Sequence, residues 1–209
     1  KLLGRINMLL SLEGSEATGK TTLAYTAPLP IVGFSLDLGS ERALYGTQFD
    51  KHFEGLKIQF INYNKESKPV PQWEGNDITI YEMPSSLQLD MTKLVGNIEQ
   101  WQFFIELFVK ATMDEKVSTI VVDTMTLLRK LKIEAYLQEM QEIGKPRKQL
   151  LQQEYGVPDG AIRGLYTFVK GISKNLIAIH HLRDHYANTI DRDGATTSQA
   201  DGTLEIDGV

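Results

Sequence analysis

An α/β fold, with a mostly parallel β-sheet flanked by helices, is predicted by three observations. Short apolar β-rich runs alternate with longer helical patterns, and each run ends at polar or glycine-rich residues. A phosphate-binding loop stands between the first run and the helix after it. A later run ends in an aspartate, where a buried parallel strand would meet a functional loop.

The elements follow in order. Strands are predicted at Asn7–Leu12, Ile31–Leu36, Ile78–Tyr81, Thr119–Val122 and Asn175–His180. A helix opens at Thr22-Leu23-Ala24-Tyr25. Over Gly96–Met113 the residues Ile98, Trp101, Ile105, Phe108 and Thr112 step by three and four, and Phe104, Leu107 and Ala111 widen that stripe. Thr124–Ile143 carries apolar residues on more than one side, as a helix buried on two faces does. A third long helix is predicted over Pro158–Lys174, with Asp159 as a cap. Lys65–Gly75, polar with two prolines, reads as a loop or insertion, and Asn188–Gly202, rich in Thr, Asp, Ala and Gly, as mobile chain. There is no internal repeat and no linker, so residues 1–209 read as one domain, with 185–209 a mobile region.

Composition removes several chemistries. The 209 residues include no cysteine, which excludes disulfides, thiolate catalysis and cysteine-ligated zinc. Four histidines leave little for a metal cluster. No apolar run reaches the roughly 18–20 residues of a membrane span and no signal-peptide pattern opens the chain, so a cytoplasmic protein is expected.

The sequence Gly14-Ser15-Glu16-Ala17-Thr18-Gly19-Lys20-Thr21 satisfies G-x-x-x-x-G-K-[ST], directly after a strand and opening a helix. Its backbone N–H groups and the helix N-terminus offset phosphate charge. Lys20 is expected on the β- and γ-phosphates of ATP, the Thr21 hydroxyl on Mg²⁺, and Thr22 on the α-phosphate. The metal also needs a carboxylate from a neighbouring strand, and Thr119-Ile-Val-Val-Asp123 supplies Asp123. Because both Asp123 and Thr124 precede a helix, Asp123 also has the place of an N-cap. Thr124, not glutamate, follows Asp123, so the base that orients water must come from elsewhere. Asp37 and Glu41, after the strand Ile31–Leu36, are the candidates, alongside a reading as plain solvated loop residues.

This arrangement resembles the RecA-type core of ATPases. The matching features are the phosphate loop, acidic residues after the next strand, a Walker B aspartate without adjacent glutamate, and a later strand ending in a polar sensor. Gly19-Lys20-Thr21-Thr22, Ser35-Leu36-Asp37-Leu38-Gly39-Ser40-Glu41-Arg42 and His180-His181-Leu182-Arg183 resemble the phage-encoded RecA-like ATPases of the single-strand annealing and recombination type. The resemblance covers about Asn7 to Asp184. It implies a RecA-like P-loop NTPase that hydrolyses ATP with Mg²⁺, binds single-stranded DNA in phage DNA metabolism in the host cytoplasm, and works as a homo-oligomer with shared active sites. It implies a sensor role for the strand-end histidine and, after it, a mobile DNA-binding loop over 185–209. Consecutive strand residues face opposite ways, and His181, nearer the end, is placed at the site while His180 packs. A histidine replaces the glutamine usual in cellular recombinases, which separates ATP-gated DNA binding from strand exchange.

The net charge of −5 conceals a split. Residues 129–192 hold eleven Lys and Arg against seven Asp and Glu, a balance of +4, and the remainder carries −9. Within that window Arg183, Lys170 and Lys174 are candidate DNA contacts, and Arg163, Lys170 and Lys174 candidates for a basic residue entering a neighbour's site. The competing readings are a P-loop kinase of a nucleotide or small metabolite, and a nucleotide-regulated assembly or packaging factor without direct DNA contact.

Overall fold

The computed structural model describes residues 8–15, 17–45, 50–84, 88, 90–145, 147–190 and 196–206. Its centre is a six-stranded sheet, every pairing parallel, built from β1 (Leu9–Glu13), β2 (Ile31–Ser35), β3 (Ile58–Asn62), β4 (Ile78–Glu82), β5 (Thr119–Asp123) and β6 (Asn175–His180). The spatial order is β1-β6-β5-β2-β4-β3. β2, β4 and β5 are buried along their whole length, which is why they read as unbroken apolar runs.

Helices cover both faces. On one lie α3 (Asn97–Met113), α4 (Met125–Glu142) and α5 (Gly156–Ile172). Phe34 of β2 meets Phe104 of α3 edge-on, with ring centroids 5.0 Å apart, and Phe108 and Tyr81 close the same core. Each of these rings, fully buried, contributes roughly 1.5–3 kcal/mol. On the other face the short α1 (Lys20–Ala24) and α2 (Ser40–Tyr45) cover Ile31, Ile80, Val121, Ile177 and Ile179.

The predicted strands and long helices all form, with ends shifted by one or two residues. Four details differ. β3 has no counterpart among the predicted strands: it is the half-buried edge strand, and its sequence Ile-Gln-Phe-Ile-Asn alternates weakly. Asp159 does not cap α5; that helix starts three residues earlier, and Asp159, in its first turns, accepts from Arg129 Nε at 2.8 Å. Nor does Asp123 cap α4, because the Thr124 hydroxyl takes that place and accepts from Leu127 N at 3.2 Å. The stretch read as aperiodic chain forms an antiparallel ribbon, β7 (Leu182–Ile190) with β8 (Thr196–Ile206). Threonines at 189, 196 and 197 suit a strand, but the ribbon has no apolar alternation to signal it. Residues 63–77, including Lys65–Gly75, join β3 to β4 without regular structure, and the loop is pinned where Trp73 Nε1 donates to Asp114 Oδ2 at 2.8 Å.

Candidate nucleotide site

All six strands point their carboxyl ends the same way, so the loops after β1, β2, β5 and β6 collect at one edge. There they enclose a cavity of about 490 Å³. Its floor is the loop from Ala17 to Thr22; Asp37, Gly39, Arg42 and Ala43 form one side, and Asp123, Thr124, Ile179 and His181 the other. The volume lies within the range of small-molecule sites.

The phosphate loop is held in a tight curve. Gly19, at φ 79°, takes the left-handed conformation that turns the chain into α1, one that glycine adopts without steric cost. Lys20 Nζ lies back along the loop, donating to the carbonyls of Gly14 and Ser15, both at 2.7 Å. Thr18 Oγ1 donates to Ser15 O at 2.9 Å and closes the turn. Glu16, named with the loop from sequence, lies outside the described residues.

Thr21 Oγ1 donates to Asp123 Oδ2 at 2.7 Å, across 102 residues of sequence. This bond joins the end of β5 to the phosphate loop although β6 runs between their strands. Asp123 is 1% exposed, and burial, with Asp37 adding repulsion, pushes its carboxyl up to about 7. Its other oxygen, Oδ1, has no hydrogen-bond partner among the described residues. A buried, unengaged carboxylate oxygen beside a hydroxyl is a hard-oxygen donor pair that fits Mg²⁺, which keeps waters and phosphate oxygens as its remaining ligands. Among the described residues no group of three or more Asp, Glu or His could hold a metal ion by itself.

The other predicted residues divide. Asp37 borders the cavity, with its Oδ1 accepting from Gly39 N at 3.1 Å. Glu41 does not; it is exposed in the first turn of α2, where its charge raises the carboxyl of Glu82, second to burial. His181 borders the cavity, and its backbone N–H donates to Thr126 Oγ1 of α4 at 3.1 Å. His180 faces the other way, 5% exposed and 3.4 Å from the Tyr166 hydroxyl, and burial holds its ring below the ordinary imidazole range. Thr22 needs a correction: it borders the cavity, but its hydroxyl donates to Ala43 O at 2.9 Å and ties α1 to α2 instead of being free for a phosphate.

Lys174 needs another. It is 5% exposed at the amino edge of the sheet, opposite the cavity, where its ammonium donates to the carbonyls of Asp114 and Val117. It is a structural clasp, out of reach of DNA or of a neighbour's site. Lys170 and Arg163 are exposed on α5. Arg183 pairs in register with Glu205 across the ribbon, and its side chain is outside the described set. The basic window is also less free than its sum suggests: Arg129 pairs with Asp159, Arg147 with Glu154, Lys130 with Glu134 and Lys132 with Glu139. Arg42 and Tyr25 escaped the sequence reading. Arg42 had a signal, since it follows the acidic loop by one residue; Tyr25 had none.

A phosphate loop on the first strand, an aspartate from another strand bonded to its threonine, and a polar residue at the end of the strand between them make up this edge. A family model described as an AAA domain matches residues 7–205. The chain belongs to that family. It is thus an AAA-type P-loop ATPase domain, which suggests nucleotide binding and hydrolysis. No curated protein matches the chain. No helix among the described residues is long and apolar enough to cross a membrane.

Within this AAA domain each side chain has a definable part. When bound, Mg²⁺ would be held by Thr21 and Asp123 and would draw charge from the β- and γ-phosphates. Lys20 puts an ammonium on the cavity lining beside the loop amides, the chemistry that a phosphate would need there. Arg42 places a second positive charge on the cavity wall. Asp37 is the carboxylate on that wall that a water could use.

Proposed function

We propose that this chain hydrolyses ATP with Mg²⁺, and that it is a RecA-like protein of phage DNA metabolism. ATP binding at the cavity favours a homo-oligomer that holds single-stranded DNA and promotes annealing or recombination in the host cytoplasm. The observation that supports hydrolysis is the Thr21–Asp123 bond beneath the Lys20 loop, with Asp37 on the same cavity. In this reading Lys20 stabilises the transferred charge, Asp37 orients the water, with Glu41 the alternative from outside the cavity lining, and His181 senses the γ-phosphate.

The DNA reading is supported by the resemblance of the Ser35–Arg42 and His180–Arg183 segments, and by a stripe of Arg163, Thr167 and Lys170 exposed along α5. The ribbon itself opposes it. Residues 182–206 hold two Arg against five Asp and Glu, which repels a phosphate backbone. That acidity favours a second reading, a nucleotide-regulated assembly factor whose ribbon meets a basic protein partner.

ATP turnover measured with and without single-stranded DNA separates the two. The DNA reading expects stimulation that Lys20→Ala abolishes, together with all turnover. Turnover indifferent to DNA favours the assembly factor, and phosphate passed to an added metabolite would make the chain a kinase. Unchanged turnover in Lys20→Ala would remove the ATPase assignment itself.

A further inference from the structure

Behind the metal carboxylate lies a group of buried hydroxyls that the reaction as derived does not use. Tyr25 closes α1, 1% exposed, with its ring among Ile31, Ile80, Val121 and Ile179. Its hydroxyl lies over Gly33 at the middle of β2, so close that a Cβ on that glycine would stand 2.2 Å from the oxygen. Gly33 is the residue that admits the hydroxyl to the strand. Ser35, two residues on, faces the same side of the sheet and stands in register between Glu82 of β4 and Asp123 of β5. Ser40, the first residue of α2, is fully buried and stands close enough to the Tyr25 hydroxyl to act against the rise of its pKa, although the two fall short of full hydrogen-bond geometry.

Four oxygens of this group have no hydrogen-bond partner among the described residues: Tyr25 Oη, Ser35 Oγ, Ser40 Oγ and Asp123 Oδ1. Each such atom, left so, costs about 1–3 kcal/mol. Four together match the two to four polar partners that one buried water takes. Burial, with the carboxylates of Asp123, Asp37 and Glu82 nearby, raises the phenol well above its ordinary range, so it remains a neutral donor. The surrounding apolar cluster would be served equally by phenylalanine, and the hydroxyl therefore calls for another reason.

We propose that Tyr25 is a positioning residue for the metal site: its hydroxyl, with those of Ser35 and Ser40, binds an ordered water that fixes Asp123 and links it to the start of α2. This rests on the reading of Asp123 as the Mg²⁺ carboxylate. Groups that orient a ligand from behind typically change metal affinity or activity by about 10–100-fold.

Tyr25→Phe keeps the ring over Gly33 and removes the oxygen. It is expected to lower kcat for Mg-ATP about tenfold while KM for ATP stays within about twofold, and to weaken Mn²⁺ binding to the ADP complex, followed by electron paramagnetic resonance, about tenfold. Ser40→Ala should act in the same direction, and Ser40→Thr, which restores the hydroxyl, should recover both values. Wild-type kcat and Mn²⁺ affinity in Tyr25→Phe, or in Ser40→Ala should the first variant not fold, overturn the inference whatever the melting temperature. Turnover that survives Lys20→Ala would instead overturn the ATPase reading.

Discussion

Asp123 carries a cost in stability that its proposed role at a metal would explain. Its carboxyl rises from 3.8 to about 7 in the folded chain, chiefly through burial. The native protein then holds a proton that the unfolded chain releases, so stability falls as pH climbs between those two values. Asp123→Asn removes this slope. At pH 8 without nucleotide the variant should melt higher, by about 2–4 °C for each kcal/mol recovered, and should lose Mg²⁺-dependent turnover. Calorimetry across pH checks the first and a phosphate-release assay the second; a variant less stable at every pH would contradict the burial argument. Lys174 makes the opposite case. Lys174→Met strips two carbonyls of a charged donor and should cost about 2–4 kcal/mol, read from denaturant midpoints, with turnover unchanged once folded. The two cations looked alike in sequence, Lys170 and Lys174 lying four apart on one predicted helix. The helix ends at Ile172, and that boundary decides that one is solvated and the other buried.

Most strands legible from sequence are fully buried, while β1, exposed at an edge, was legible beside the phosphate loop that follows it. β2, β4, β5 and β6 announce themselves because both faces are covered, and α3 because its aromatic stripe has one partner, the sheet. β3 was hidden by half-burial at an edge, and the ribbon because its strands pair chiefly with each other instead of with a core. The site divided along the same line. Gly14 to Thr21 and Asp123 are written as local patterns, whereas Arg42 and Tyr25 gain their places only when α2 and α1 fold over the carboxyl edge. Replacing 183–205 by a short Gly-Ser linker should leave ATP binding, measured by calorimetry, within about threefold, since the cavity wall ends at His181. Any stimulation by single-stranded DNA should disappear, and stimulation that persists would assign DNA contact to α5 instead.

For the whole molecule the relevant quantity is charge in assembly. A chain of net −5, with five of the eleven cations of the 129–192 window paired or buried, is a poor ligand for DNA on its own. The annealing reading therefore expects single-stranded DNA binding only with a non-hydrolysable ATP analogue, alongside a rise in mass by light scattering, and a steep loss of affinity with salt. Binding by a monomer without nucleotide would contradict it. The topology adds a mechanical consequence. β6 is hydrogen-bonded along both edges, to β1 and to β5, and so cannot slide. One residue, His181, separates it from β7. Any swing of the ribbon against the sheet must turn on that joint, and the joint is itself a wall of the nucleotide cavity. The pivot and that part of the cavity lining are the same residue, so no transmission chain has to be looked for between them.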